Sequence, residues 1–211
     1  VTAAGRGWWA PATMTGASPH GQGQETSFAQ LAADAFGVPI DDVVVLHGDT
    51  AVVQYGIGTF GSRGTAVGGT AVYLALQDLR AKCCRFAAVM LGCAAEEVTF
   101  EGGIFSSPNS SKTVTFGDIA LEAYVCRNPQ PGLEPGLVVT RFFEPSNFAF
   151  PFGAHIAKVE IDRETGEVQV LRYIAVDDCG KVINPLLVDG QIHGGVAQGL
   201  GQALYEEAVY D

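Results

Sequence analysis

A chain of 211 residues, 47% hydrophobic and only 17% charged, is long enough to bury a sizeable core in one or two domains. Its net charge of −11, with no basic patch, argues against nucleic acid or an anionic membrane surface as a partner. No apolar run reaches transmembrane length, and Val1–Gly16 lacks the basic start and apolar stretch of a signal peptide, so the cytoplasm is the expected location.

Val1–Met14, with Gly7-Trp8-Trp9-Ala10-Pro11, shows no clear period and reads as an atypical N-terminal segment. A stretch rich in glycine and glutamine follows, Ser18-Pro19-His20-Gly21-Gln22-Gly23-Gln24-Glu25-Thr26. Ser27–Phe36 then reads as a helix starting near Thr26 or Ser27, with Phe28, Leu31, Ala32 and Phe36 on one stripe and Gly37 as its stop. Asp42–His47 is apolar and β-branched, as in a buried strand. A second glycine-rich loop, Tyr55–Gly64, leads into Ala66–Leu91, whose apolar residues recur at helical spacing. Val98–Ser106 reads as a hairpin around Glu101-Gly102-Gly103, and Gly117 opens a short helix to Tyr124.

Asn128–Gly136 carries three prolines and two glycines and reads as a surface loop. It divides the chain into a first lobe, residues 15–127, and a second, residues 137–211. Val138–Glu144 has the pattern of a strand. Ala154–Asp162 and Glu167–Val176 alternate apolar and polar residues around Arg163-Glu164-Thr165-Gly166, a hairpin with one wet face. Pro185–Glu207 is the last helix. The fold class is α+β, with two unequal lobes, mixed sheets and long helices.

Three motifs pair glycine with neutral polar side chains. In Gly21-Gln22-Gly23 the flanking glycines leave backbone N–H groups open, and a helix start follows, a place that favours anionic oxygen. Taken alone, this triplet reads first as a flexible surface turn before a capped helix. Gly61-Ser62-Arg63-Gly64-Thr65 has the makings of a phosphate cradle, with hydroxyls, open N–H groups at a helix start and one arginine. It lacks the Gly-Lys-Ser/Thr ending of a Walker loop, and it also fits an ordinary loop with a Ser/Thr cap. In the last helix, Gln191 and Gln198 sit among glycines, each of which costs about 1 kcal/mol relative to alanine. Close approach to a ligand or another element would offset that cost; for Gln198, packing through small residues is the preferred reading.

At these residues, from about Thr15 to Asp211, the chain resembles the molybdenum hydroxylases: xanthine dehydrogenase, aldehyde oxidoreductases and the molybdenum carbon monoxide dehydrogenases. The likeness is to an internal part of the molybdopterin-binding region of the large subunit. It implies an oxidoreductase fold of two lobes and a pterin cofactor carrying molybdenum. It places Gly21, Gln22 and Gly23 beside the metal or the pterin. The loop Gly61, Ser62, Arg63, Gly64 and Thr65 falls on the cofactor's phosphate, and Gln191 on the pterin. The arginine makes the loop resemble the cytosine-dinucleotide branch. The resemblance further implies that missing domains or subunits are partners, and that no protein side chain ligates the metal.

The family's Gly-x-Gly-Glu motif, which carries the general base, does not occur here, nor does its Phe-Arg substrate loop. Turnover by this chain alone is therefore not expected, and a non-catalytic module that associates with itself or a partner is the alternative reading. Trp8 and Trp9 are candidates to bury in such contacts. The five cysteines, Cys83, Cys84, Cys93, Cys126 and Cys179, show no zinc spacing and read as reduced, buried residues. His20 and His193 lie in the cofactor motifs, whereas His47 and His155 read as strand histidines and Asp177 and Asp178 as turn-setting residues.

Overall fold

The computed structural model describes residues 2–3, 11–127 and 129–210. Trp8 and Trp9 lie outside the described residues. The chain divides into two compact units, 1–146 and 147–211.

The first unit begins with a small mixed sheet. Strand β2 (Pro11–Met14) pairs antiparallel with β1 (Thr2–Ala3) and parallel with β3 (Val44–Leu46). A parallel pair needs a crossover, and helix α1 (Gln24–Phe36) supplies it. The segment that lacked a period in the sequence thus contributes the central strand. Helix α1 starts at Gln24 rather than Thr26 or Ser27, because the left-handed Gly23 turns the chain into the helix one residue before it. Gly37, also left-handed, ends it as expected.

The long helical segment has two parts. Gly64–Gly69 forms one π-helical turn, and α2 (Thr70–Leu91) continues from it. A three-stranded meander follows, β4 (Thr99–Glu101), β5 (Ile104–Ser106) and β6 (Thr113–Thr115). It leads into α3 (Phe116–Val125), which opens with a capping box: Thr115 Oγ1 accepts from the Asp118 N–H, and the Asp118 carboxylate accepts from the Thr115 N–H.

The core of this unit lies between α1, α2, α3 and the meander. Phe28, Phe36, Leu76, Leu79, Cys83, Phe105 and Ile119 are all buried to 1% exposure or less. Burial of each large side chain is worth about 1.5–3 kcal/mol. Leu137 is fully buried there too, and the Gly136 N–H bonds the Ala123 carbonyl, so the chain beyond the proline-rich loop stays with the first unit. The strand expected at Val138–Glu144 does not form. Extended chain becomes a strand only with a neighbouring edge to pair with, and no described strand pairs with this segment. The Arg141 guanidinium pairs with Asp78 of α2 and holds that carboxyl below its ordinary value.

The second unit is a long antiparallel ribbon and one helix. Strand β7 (Phe152–Ile161) pairs with β8 (Val168–Asp178), with a bulge at Lys158/Val159. In the turn, Asp162 Oδ1 accepts the N–H groups of Glu164 and Thr165, which holds its carboxyl below the usual range. Asn184 caps α4 (Pro185–Leu204) by accepting the Leu187 N–H, with Pro185 in the first turn. No residue from 147 to 210 is buried. No helix of the described residues is long and apolar enough to cross a membrane.

Candidate functional site

The first two glycine motifs meet within the first unit. Residues 15–23 run from β2 into α1 and pass directly against the loop at 55–58. A Cβ on Gly16 would lie 2.4 Å from the Tyr55 carbonyl oxygen, and one on Gly56 would lie 2.3 Å from Gly16 Cα. Side chains never approach backbone so closely, so both positions admit only glycine. The Gly58 N–H donates to the Gly16 carbonyl at 3.1 Å and closes the contact.

The two glutamines of the first motif face different ways. Gln22 is half-buried, and its Oε1 accepts the N–H of His20, folding the side chain back over its own loop. Gln24 is buried and its amide nitrogen reaches Gly64 of the second motif. A Cβ on Gly64 would lie 2.7 Å from Gln24 Nε2 and 3.4 Å from Thr59 Cγ2. Gln24 Oε1 and Thr59 Oγ1 are buried without hydrogen-bond partners. An orphaned polar group of this kind costs about 1–3 kcal/mol, so these atoms demand a partner. The sequence reading singled out neither Gln24 nor Thr59. The signal for Gln24 was the stripe Phe28–Ala32–Phe36, which continues one turn back to Gln24 on the inner face of α1. Nothing comparable marked Thr59, whose burial depends on tertiary contact alone.

The second motif opens on an exposed, strained turn and runs down to the buried Gly64. Gly61 and Ser62 both have φ of 56°, and a serine held there costs roughly 1–3 kcal/mol. Arg63 fixes the turn: its guanidinium donates to the Gly58 carbonyl at 2.8 Å and lies 5.3 Å over the Phe60 ring. Further guanidinium donors remain for a ligand. The π-turn opens at Gly64 without a side-chain cap, and α1 opens likewise behind Gly21 and Gly23. Two helix starts therefore present N–H groups that no side chain covers, a donor set suited to anionic oxygen. Thr65 is exposed on the π-turn.

Gln191 lies in the second unit, exposed in the middle of α4. Gln198 is two turns on, on the same stripe at about 100° per residue. Beyond the helix's own backbone and the adjoining residues, no atom of the described residues lies within 4 Å of the Cβ positions of Gly190, Gly194, Gly195 or Gly199. His193 is exposed on the same helix.

The remaining polar residues serve structure. His47 pairs with Glu25 in the first turn of α1. His155 bridges the ribbon, with Nδ1 3.0 Å from the Tyr173 hydroxyl and Nε2 3.1 Å from Asp177 Oδ1. Asp178 accepts the Gly180 N–H and sets the turn. All five cysteines are free. Cys83 is buried, but Cys179 is exposed, contrary to the expectation of burial, because the turn at Asp178–Gly180 carries it away from the ribbon. Among the described residues no group of histidine, cysteine, aspartate or glutamate could hold a metal ion.

Residues 12–211 match the family model of the molybdopterin cofactor-binding domain. The chain is 42% identical over 197 residues to the carbon monoxide dehydrogenase large chain of Hydrogenophaga pseudoflava, covering 93% of this chain and 24% of that protein. It is 39% identical to the nicotine 6-hydroxylase large subunit of Paenarthrobacter nicotinovorans, with 93% of this chain and 24% of that subunit covered. The solved structure of reconstituted CO dehydrogenase from Oligotropha carboxidovorans matches with a TM-score of 0.86 at 36% identity, over 94% of this chain and 24% of that one. The chain thus spans about a quarter of the length of these relatives. It has the mixed helices and small sheets of their molybdopterin-binding region, and it belongs to the molybdopterin cofactor-binding domain family of the molybdenum hydroxylase large subunits.

Proposed function

We propose that this chain binds the pterin and phosphate portions of a molybdenum cofactor, in the dinucleotide form with cytosine. The observation that carries the reading is the junction of the two glycine loops: uncapped helix starts, a glycine cradle at Gly64, and buried polar atoms of Gln24 and Thr59 that lack partners. These residues fit an organic, phosphate-bearing group. Gly21, Gln22 and Gly23 hold it by backbone N–H groups and the Gln22 amide. Gly61, Ser62, Arg63, Gly64 and Thr65 hold its phosphates, and Gln191 of the second unit contacts the pterin. When bound, the cofactor supplies the redox chemistry that hydroxylates a carbon centre or oxidises CO in the whole enzyme. The protein's part is to bind and orient it. The relatives' names cite CO, nicotine and hypoxanthine, so the reading stops at the cofactor. Free thiols fit a reducing compartment, the cytoplasm.

The test is to purify the chain from a molybdenum-replete host, measure metal content, and assay the oxidised, fluorescent pterin and the CMP that acid hydrolysis releases. Stoichiometric pterin and CMP support the reading. Protein that never carries pterin, even when refolded with cofactor, refutes it.

A second reading concerns partners. Phe152, Ile156, Val176, Leu186 and Tyr205 of the second unit are exposed. A lone two-stranded ribbon is marginal in water. We propose that further domains, other subunits or a second copy of the chain cover this surface. Sedimentation of a clean monomer at high concentration would rule out the second copy.

A further inference from the structure

Helix α2 carries one residue that its packing does not explain. Leu79 and Phe86 belong to the buried stripe of the helix, and Lys82, one turn from each, falls on the same stripe. Lys82 is 8% exposed. Lysine is almost never buried so far without a partner. Yet among the described residues its side chain makes no hydrogen bond or ion pair. The stem packs inside, and what stays open of the side chain lines a groove of about 800 Å³. Lys82 stands about 20 Å along the helix axis from Gly69. No residue of the two glycine motifs lines the groove, so it is separate from their junction.

The lining has the chemistry of a ligand site, apolar walls with a few polar groups. Ala81, Ala95, Val138 and Val139 form the walls. Four charged residues line it as well, and the charge of Asp78 is offset by Arg141. That leaves two cations, Lys82 and Arg85, against one anion, Glu96, none of them paired. The groove thus holds one positive charge in surplus, in a chain whose net charge is −11. A guanidinium and an ammonium one turn apart suit the two oxygens of a carboxylate. A phosphate dianion would exceed the surplus and face Glu96.

We propose that this groove is a second ligand site, independent of the cofactor reading, for a small organic monocarboxylate. Lys82 and Arg85 take the carboxylate, and the hydrocarbon body lies along Ala81, Ala95, Val138 and Val139. The ligand then supplies the partner that the buried lysine lacks.

Hexanoate, its neutral amide and inorganic phosphate, titrated into the full chain by calorimetry, test the assignment for the wild type, Lys82→Met and Arg85→Gln. The wild type should bind hexanoate at least about five-fold more tightly than hexanamide or phosphate. Each substitution should weaken hexanoate roughly five-fold and leave hexanamide within about two-fold. Lys82→Met keeps the stem and removes a buried charge without a partner, so the melting temperature should hold or rise. Arg85 is exposed, so Arg85→Gln alone decides if Lys82→Met fails to fold. Cys84 also lines the groove, and bound hexanoate should slow its alkylation without slowing that of the exposed Cys179. Hexanoate bound no more tightly than its amide, or equally well by the wild type and the folded variants, would overturn the proposal. So would phosphate bound more tightly than hexanoate, or equal slowing of Cys84 and Cys179.

Discussion

The two units use glycine in opposite ways. In the first, Gly16 and Gly56 meet backbone to backbone and Gly64 makes room for a buried amide, so each missing side chain is answered by a neighbouring atom. In α4 of the second, Gly190, Gly194, Gly195 and Gly199 face open space. The first unit also has a core of large buried side chains, whereas no residue from 147 to 210 is buried. Glycine-rich sequence thus marks a demand for close approach without saying where it is met. At Gly16, Gly56 and Gly64 it is met within the chain, and at Gly190, Gly194, Gly195 and Gly199 it is not.

The largest expected effect sets the two cores against each other. Phe36 is fully buried and lies 4.9 Å, centroid to centroid, from Phe116. Phe36→Ala should cost about 3–5 kcal/mol in urea unfolding. Ile156, exposed on the ribbon, should cost within about 0.5 kcal/mol when changed to alanine. Comparable losses would mean that something already covers the ribbon, a second copy being the first to look for by sedimentation.

Glycine-to-alanine changes sharpen the contrast further. Gly56→Ala drives a methyl group into the Gly16 backbone, which cannot step aside without breaking the Gly58–Gly16 hydrogen bond. A loss of more than about 1 kcal/mol is expected, together with weaker cofactor binding as the two loops part. Gly194→Ala meets nothing and should raise stability by up to about 1 kcal/mol through helix propensity. If Gly194→Ala also lowers cofactor content, the ligand itself approaches α4 there.

The helix caps differ in charge. The Thr115 hydroxyl, and then its N–H, hold the Asp118 carboxyl below the ordinary value. A carboxyl lowered on folding contributes stability above its unfolded value, about 3.9, and loses it as pH falls through the folded value. Asp118→Asn should therefore lower stability slightly at pH 7, by no more than about 0.5 kcal/mol for so exposed a group, and the difference should fade below about pH 4. The cap of α4 is the neutral Asn184, so Asn184→Ala should show a penalty independent of pH. Thermal melts from pH 3 to 7 read both.

Local pattern carried most of the elements. The stripe of α1, the spacing of α2, the hairpin at 99–106 and the ribbon turn each follow from neighbours in sequence, and each formed. Val138–Glu144 has the composition of a strand, but a strand requires an edge that composition does not supply. The π-turn at Gly64–Gly69 was hidden for a related reason: a wide helical turn has the same apolar spacing as a narrow one over six residues. At the site, the glycine loops were legible as loops and as neighbours of helix starts. The burial of Gln24 rather than Gln22 was not, because the two residues differ only by which face of the helix entrance they occupy. Family likeness supplied the cofactor, which no residue pattern here names by itself.

The smallest effect on stability is a labelling experiment that changes nothing in the fold. Cys83 is fully buried on the inner face of α2, and burial pushes its thiol up to about 12. At pH 8 roughly one molecule in ten thousand would carry the reactive thiolate, even if reagent could reach it. Cys84, half-buried beside it, is also raised by burial. Cys179 stands exposed on the turn before α4. Iodoacetamide at pH 8, followed by peptide mass spectrometry, should modify Cys179 first and leave Cys83 untouched until urea opens the core. Protection of Cys179 in the native protein would show that a partner or second copy covers the start of α4. Early labelling of Cys83 would show that the first unit opens far more readily than its packing implies, and the contrast between the two units would then fail at its stronger end.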